Sequence, residues 1–145
     1  MKKIFCLLIC AVIITLISFF SGCADAKKDI LSGTNWVYDE NANEASGMYF
    51  QEDGHARIWS MLLSDSGHCE QLYDSDEFVI EYSINGSTLT LHDLNTADGI
   101  ISMEYIFEIT DDSLSLEYDG QRGTYSKVDT TPLEYAKSLG LHPGA

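Results

Sequence analysis

The chain has 145 residues, of which 8 are Lys or Arg and 23 are Asp or Glu, giving a formal net charge of −15 at pH 7. Such a length suits one domain of ordinary size. The acidic balance works against nucleic acid, whose affinity comes largely from basic side chains neutralising phosphates, and leaves cations or basic proteins as electrostatically favoured partners.

The N-terminus begins with Lys2 and Lys3, continues as an uncharged apolar stretch from Ile4 to Phe20, and ends in the small residues Ser21 and Gly22 before Cys23. That is the layout of a secretory signal over residues 1–22. The run Phe20-Ser21-Gly22-Cys23 resembles the lipobox of bacterial lipoproteins, in which the cysteine thiol receives a diacylglycerol and becomes the mature N-terminus. The resemblance implies that Cys23 is a lipid anchor and that the chain is tethered at the cell membrane on its extracytoplasmic face.

The alternative is an uncleaved membrane helix, since about 17 apolar residues reach the lower limit for crossing a bilayer. Both readings leave the lysines in the cytoplasm and the rest of the chain outside. Removing residues 1–22 leaves 145 − 22 = 123 residues with 6 basic and 23 acidic side chains, a charge of −17. Cys6 and Cys10 leave with the signal, so no disulfide framework remains. Cys69 is then free if Cys23 is acylated, or able to pair with it in an oxidising exterior if not.

Residues 23–32 form a tether spanning at most about 30 Å at roughly 3.3 Å per residue. After it, apolar residues recur at every second position between turn signals, the periodicity of strands. The expected strands are 34–39, 46–52, 55–62, 77–84, 88–93, 100–110, 113–118 and 122–128. Asp53-Gly54 marks one hairpin. Asn85-Gly86 marks another, expected as a type I′ turn. Asp111-Asp112 separates the alternation Ile101, Met103, Tyr105, Phe107, Ile109 from Leu114, Leu116 and Tyr118. Residues 63–77 read as a long turn-like segment.

Strands joined by tight turns pair with their sequence neighbours, and closure removes the two unpaired edges of an open sheet. The expected fold is all-β: a small antiparallel eight-stranded meander barrel over residues 33–129, then a short helix and tail over 130–145. Thr131-Pro132-Leu133-Glu134 is a capping box with proline at the first helical position. The helix should stop at Gly140 and lay Leu133, Ala136 and Leu139 against the barrel.

Leu31-Ser-Gly33-Thr-Asn-Trp36, Tyr49-Phe50-Gln-Glu-Asp53-Gly54, Tyr82-Ser-Ile84-Asn-Gly86 and Tyr125-Ser-Lys127-Val128 together resemble the lipocalin-like domains of bacterial lipoproteins. Lipocalins that carry ligands open with Gly-x-Trp, whereas two residues separate Gly33 from Trp36 here. The resemblance implies a basic residue packed on the tryptophan, for which Lys127 is the match. It also implies a binding module for a small apolar ligand, lined by Trp36, Phe50, Tyr82, Tyr105, Phe107 and Tyr118. Barrels of eight strands either fill the lumen with such side chains or keep room for one small ligand, and the size of these residues favours filling.

In the third strand, alternation places Arg57, Trp59 and Met61 opposite Ile58, as a candidate protein-contact patch. A protein-interaction or inhibitory barrel acting on a basic partner, and a structural envelope lipoprotein, are the competing readings. His68-Cys69-Glu70 does not make a metal site, because neighbours on a strand face opposite ways and no further ligand spacing follows. Asp74-Ser75-Asp76-Glu77 lacks the glycine and distal glutamate of a calcium loop. His55 and His92 lie near turns and His142 in the tail, so each reads as a surface residue and not as a base. With no constellation of nucleophile, base and orienting group, neither an enzyme nor a cofactor is expected.

Overall fold

Residues 30–142 are described by the computed structural model; the signal segment, Cys23, most of the tether and residues 143–145 lie outside the described residues. The strands are β1 (Thr34–Asn41), β2 (Glu44–Phe50), β3 (His55–Leu63), β4 (Cys69–Tyr73), β5 (Val79–Asn85), β6 (Thr88–Thr96), β7 (Gly99–Ile109), β8 (Ser113–Tyr118) and β9 (Gln121–Val128). Helix α1 (Pro132–Ser138) follows. All pairings are antiparallel, and β9 returns to β1 with Trp36 opposite Lys127. The ring β1-β2-β3-β5-β6-β7-β8-β9 is therefore a closed eight-stranded barrel of meander order.

A ninth strand corrects the sequence reading. β4 lies inside the segment expected to be a turn, and it joins the barrel wall at one place only. β3 forks: His55, Ala56 and Arg57 pair with β5, whereas residues from Ser60 onward pair with β4. The sequence CEQLY alternates weakly because its strand has one neighbour and one buried residue, Cys69. Phe78, expected within a strand, sits in a 3-10 turn (Asp76–Phe78) and is half exposed.

The turns also differ in type. Asn85 pairs with Thr88, so the β5–β6 loop is Gly86-Ser87, with positive φ at Gly86 (61°) and not at Ser87. Glycine first is the II′ pattern rather than the expected I′. A two-residue loop with positive φ at both positions occurs between β8 and β9, at Asp119 (50°) and Gly120 (73°). Both turn types match the right-handed twist of the strands they join.

Two apolar clusters hold the molecule together. Inside the barrel, Trp36, Phe50, Tyr82, Leu89, Phe107 and Leu114 pack with their neighbours, and Leu31 joins them. Outside the barrel, Val37, Ala45, Trp59, Met61 and Cys69 are covered by Ala136 of α1. The helix keeps its capping box on Thr131 and Glu134 and ends before Gly140 at φ 95°. Its buried residues are Pro132 and Ala136, while Leu133 is exposed. The face meeting the barrel thus runs through 132, 135, 136 and 139, which keeps Ala136 and Leu139 of the expected stripe and replaces Leu133.

Candidate ligand site at the open end of the barrel

The inward-facing residues change from sealed to open along β8, β1 and β7. On β8, Leu114 is 0% exposed, Leu116 4% and Tyr118 47%; on β1, Trp36 is 1% and Tyr38 38% exposed. On β7, Phe107 is buried, Tyr105 half-buried and Ile101 exposed. Each step of two residues advances about 6.6 Å on the same face, so the lumen is packed at one end and uncovered within two such steps of the other.

Two tyrosine pairs stand at the open end. Tyr38 and Tyr125 have ring centroids 5.4 Å apart and planes inclined by 44°. Tyr105 and Tyr118 are 5.6 Å apart, inclined by 46°. These four rings, with Leu116 and Gly123, border a depression of about 260 Å³. A Cβ on Gly123 would stand 3.6 Å from Tyr125 and 4.0 Å from Tyr38, which are ordinary contacts. Glycine is therefore not forced here by crowding, and its missing side chain leaves space between the rings.

The walls of this depression are predominantly aromatic, with Gln121 among them. The Tyr105 hydroxyl donates to the Met103 sulfur at 3.5 Å. Burial, reinforced by the neighbouring Tyr118, pushes its pKa above that of an ordinary phenol, so it stays neutral. Arg122 borders the depression, but its guanidinium forms an ion pair with Glu108. A second depression of about 250 Å³, with Ser46, Ile58, Ser60, Tyr73 and Phe78 among its walls, involves the β3–β4 fork. A third, of about 500 Å³, lies between β5 and β6, where ladder pairing stops beyond Tyr82 and Leu91 and Asp93 takes a positive φ of 54°.

The residues expected to line a ligand cavity separate into two groups. Trp36, Phe50, Tyr82 and Phe107 are fully buried and fill the lumen. Their volume is used for packing, which leaves Tyr105 and Tyr118 as the expected residues that reach the opening. Tyr38 and Tyr125 were missed by the sequence reading. Their signal was available, since Tyr38 is two residues beyond Trp36 and Tyr125 lies opposite Leu114. Lys127 faces Trp36 across β1 and β9 and is itself exposed.

The expected contact patch of Arg57, Trp59 and Met61 is not an open surface. Trp59 and Met61 do lie on the outer face, but α1 and its flanking residues cover them, leaving each 1% exposed. The indole N–H of Trp59 donates to Asn35 Oδ1 at 2.9 Å, and Asn35 Nδ2 donates to the Thr130 carbonyl at 3.0 Å. This buried relay satisfies polar groups that would otherwise be costly to enclose. Arg57 pairs with Asp76 at 2.8 Å and Asp74 at 3.0 Å. The Asp76 bond, more than Asp74, raises its pKa.

Cys69 is buried with no disulfide, and its thiol faces the Gln71 carbonyl at 3.6 Å. Exposed His68 instead holds Ser66 through Nδ1 at 2.8 Å. Among the described residues, no three of His, Cys, Asp and Glu converge in a way that could hold a metal ion. No protein-family model, curated protein or solved structure matches this chain.

Proposed function

We propose that the protein is a lipocalin-like binding module of a bacterial lipoprotein, held on the extracytoplasmic face of a membrane by acylated Cys23, which takes a small apolar ligand at its open barrel end. The observation that carries this reading is the gradient from packed lumen to uncovered tyrosines. Side chains at Tyr38 and Tyr118 remain in water although they continue the inward rows of Trp36 and Leu116. Aromatic surface left uncovered around a concavity is a favourable place for a ligand to displace water.

The point at which the described chain enters the barrel supports the same reading. Leu31 packs in the interior beside Trp36 and Phe50, and Gly33 N–H donates to the Phe50 carbonyl at 2.7 Å. The chain therefore enters at the packed end, so a lipid anchor upstream leaves the tyrosines at the far end. Incorporation of radiolabelled fatty acid should require Cys23, and Cys23→Ala should release the protein from the membrane fraction. Persistence of labelling in that variant would refute the anchor. A panel of small hydrophobic compounds should raise the melting temperature and perturb Tyr118 resonances; no change with any compound would refute the pocket.

The excess of acidic over basic residues favours a second reading, in which the barrel engages a basic envelope or secreted protein. Affinity capture at low salt that retains no basic protein above background would remove it.

A further inference from the structure

The open-end depression has aromatic walls in a strongly negative molecule, and each basic side chain of the described residues can be located. There are four: Arg57, Arg122, Lys127 and Lys137, against 21 acidic residues, a balance of 4 − 21 = −17. Arg57 is held by Asp74 and Asp76, and Arg122 by Glu108. Lys127 pairs in register with Trp36 toward the packed end, and Lys137 is on α1. No unpaired cation therefore borders the tyrosines to attract an anionic ligand. The field of the whole domain raises the local concentration of cations.

We propose that the ligand of this depression carries a weakly hydrated organic cation, of the trimethylammonium type, seated among Tyr38, Tyr105, Tyr118 and Tyr125. This rests on the binding-module reading above and names the ligand class for it. A ring face is the negative part of the aromatic quadrupole, and tyrosine faces attract a cation within about 6 Å of the ring centroid. None of the described residues that line the depression is a carboxylate, and Glu108 is engaged by Arg122. A metal ion or a primary ammonium, which is strongly hydrated, would lose its water there without gaining charged oxygen ligands. A methylated ammonium keeps its charge, holds water weakly and presents a hydrocarbon surface that the rings can cover. The volume of about 260 Å³ admits such a headgroup with a short chain.

The test uses the full chain in maltoside micelles, titrated with choline, with its neutral isostere 3,3-dimethylbutan-1-ol and with the anion 3,3-dimethylbutanoate, followed by calorimetry and tyrosine chemical shifts. Choline should bind about three- to tenfold tighter than the neutral alcohol, the range expected for a cation on aromatic faces. The anion should bind weakest. Raising the salt concentration should narrow the difference between cation and anion. Tyr118→Leu should lose the choline preference while retaining the alcohol, and Tyr118→Phe, which keeps the ring, should retain both. Tyr118 is half exposed, so neither variant threatens the core. Equal or tighter binding of the alcohol would overturn the cation proposal and leave the apolar pocket standing. Failure of every probe to bind would overturn both.

Discussion

Gly47→Ala is expected to be among the most damaging single-methyl additions in this protein. Gly47 lies in the middle of β2, opposite Trp59 on β3, and its φ is not positive, so the backbone does not demand glycine. The demand comes from the indole laid against it. A Cβ there would meet Trp59 Cζ2 at 2.2 Å, Cε2 at 2.3 Å and the Trp36 carbonyl oxygen at 2.6 Å. Carbon atoms rest at about 3.5 Å or more, so the ring has to retreat by more than about 1 Å. Its N–H is tied to Asn35, and Asn35 to the Thr130 carbonyl just before α1, so retreat breaks the relay that seats the helix.

Overpacking of this kind costs about 1–3 kcal/mol, and a lost buried hydrogen bond adds about 1 kcal/mol. Replacing glycine within a strand returns about 0.5–1 kcal/mol. The net expectation is about 2–3 kcal/mol, a fall of roughly 10 °C in melting temperature for a domain of this size. Urea and thermal denaturation followed by near-ultraviolet circular dichroism measure it. In a double-mutant cycle with Trp59→Leu, which removes the ring, the two changes should be coupled by about 1–2 kcal/mol. A neutral Gly47→Ala, or strict additivity with Trp59→Leu, would refute the reasoning.

Trp36 and Trp59 are each 1% exposed, so native fluorescence should be blue-shifted and resist quenching by acrylamide; emission near that of free tryptophan would show that α1 does not cover Trp59. Cys69 is buried and burial raises its pKa, so alkylation should be slow in the native protein and accelerate in urea together with unfolding, whereas fast native labelling would contradict the outer cluster. Thr131→Ala should cost about 1 kcal/mol through loss of the helix cap, measured by urea unfolding. The Thr131 backbone N–H, followed by its hydroxyl, holds the Glu134 carboxyl below its ordinary pKa. Its small contribution is complete above the ordinary carboxylate range and is lost as pH falls through the depressed value; Glu134→Gln should remove that component of the acid dependence, and an unchanged profile would refute it.

The barrel was legible because most of its wall strands are bounded by turn chemistry and several carry a two-residue apolar alternation, as in Leu89-Thr-Leu91 and Phe107-Glu-Ile109. Local pattern reports which residues share a face, and it does so correctly within the strands, though not at Phe78, which precedes β5 in a 3-10 turn. It does not report what covers the face. Trp59 and Met61 were rightly placed outside the barrel, yet their burial depends on α1, more than 70 residues later in the chain. β4 escaped notice because a strand with a single partner needs little apolar alternation. The candidate site was half legible: Tyr105 and Tyr118 came from the inward rows, but the same rows also supplied Trp36, Phe50, Tyr82 and Phe107. Alternation cannot tell packed depth from open depth, since both lie on one face.

The outer cluster explains how the mouth can remain uncovered without loss of stability. A small barrel ordinarily depends on its lumen for apolar burial, but here the wall made by β1, β2 and β3 is buried on both faces, inside by Trp36 and Met48 and outside by Val37, Ala45 and Trp59 beneath α1. Stability should therefore be concentrated in the packed end and this doubly covered wall. Tyr38→Ser combined with Tyr118→Ser should cost less than Trp59→Ala alone, for which burial of a large aromatic predicts about 3–5 kcal/mol. Urea denaturation of the two variants decides the matter. If the tyrosine pair proves as costly as the tryptophan, those rings serve the core, and the open end is part of the packing instead of a place for a ligand.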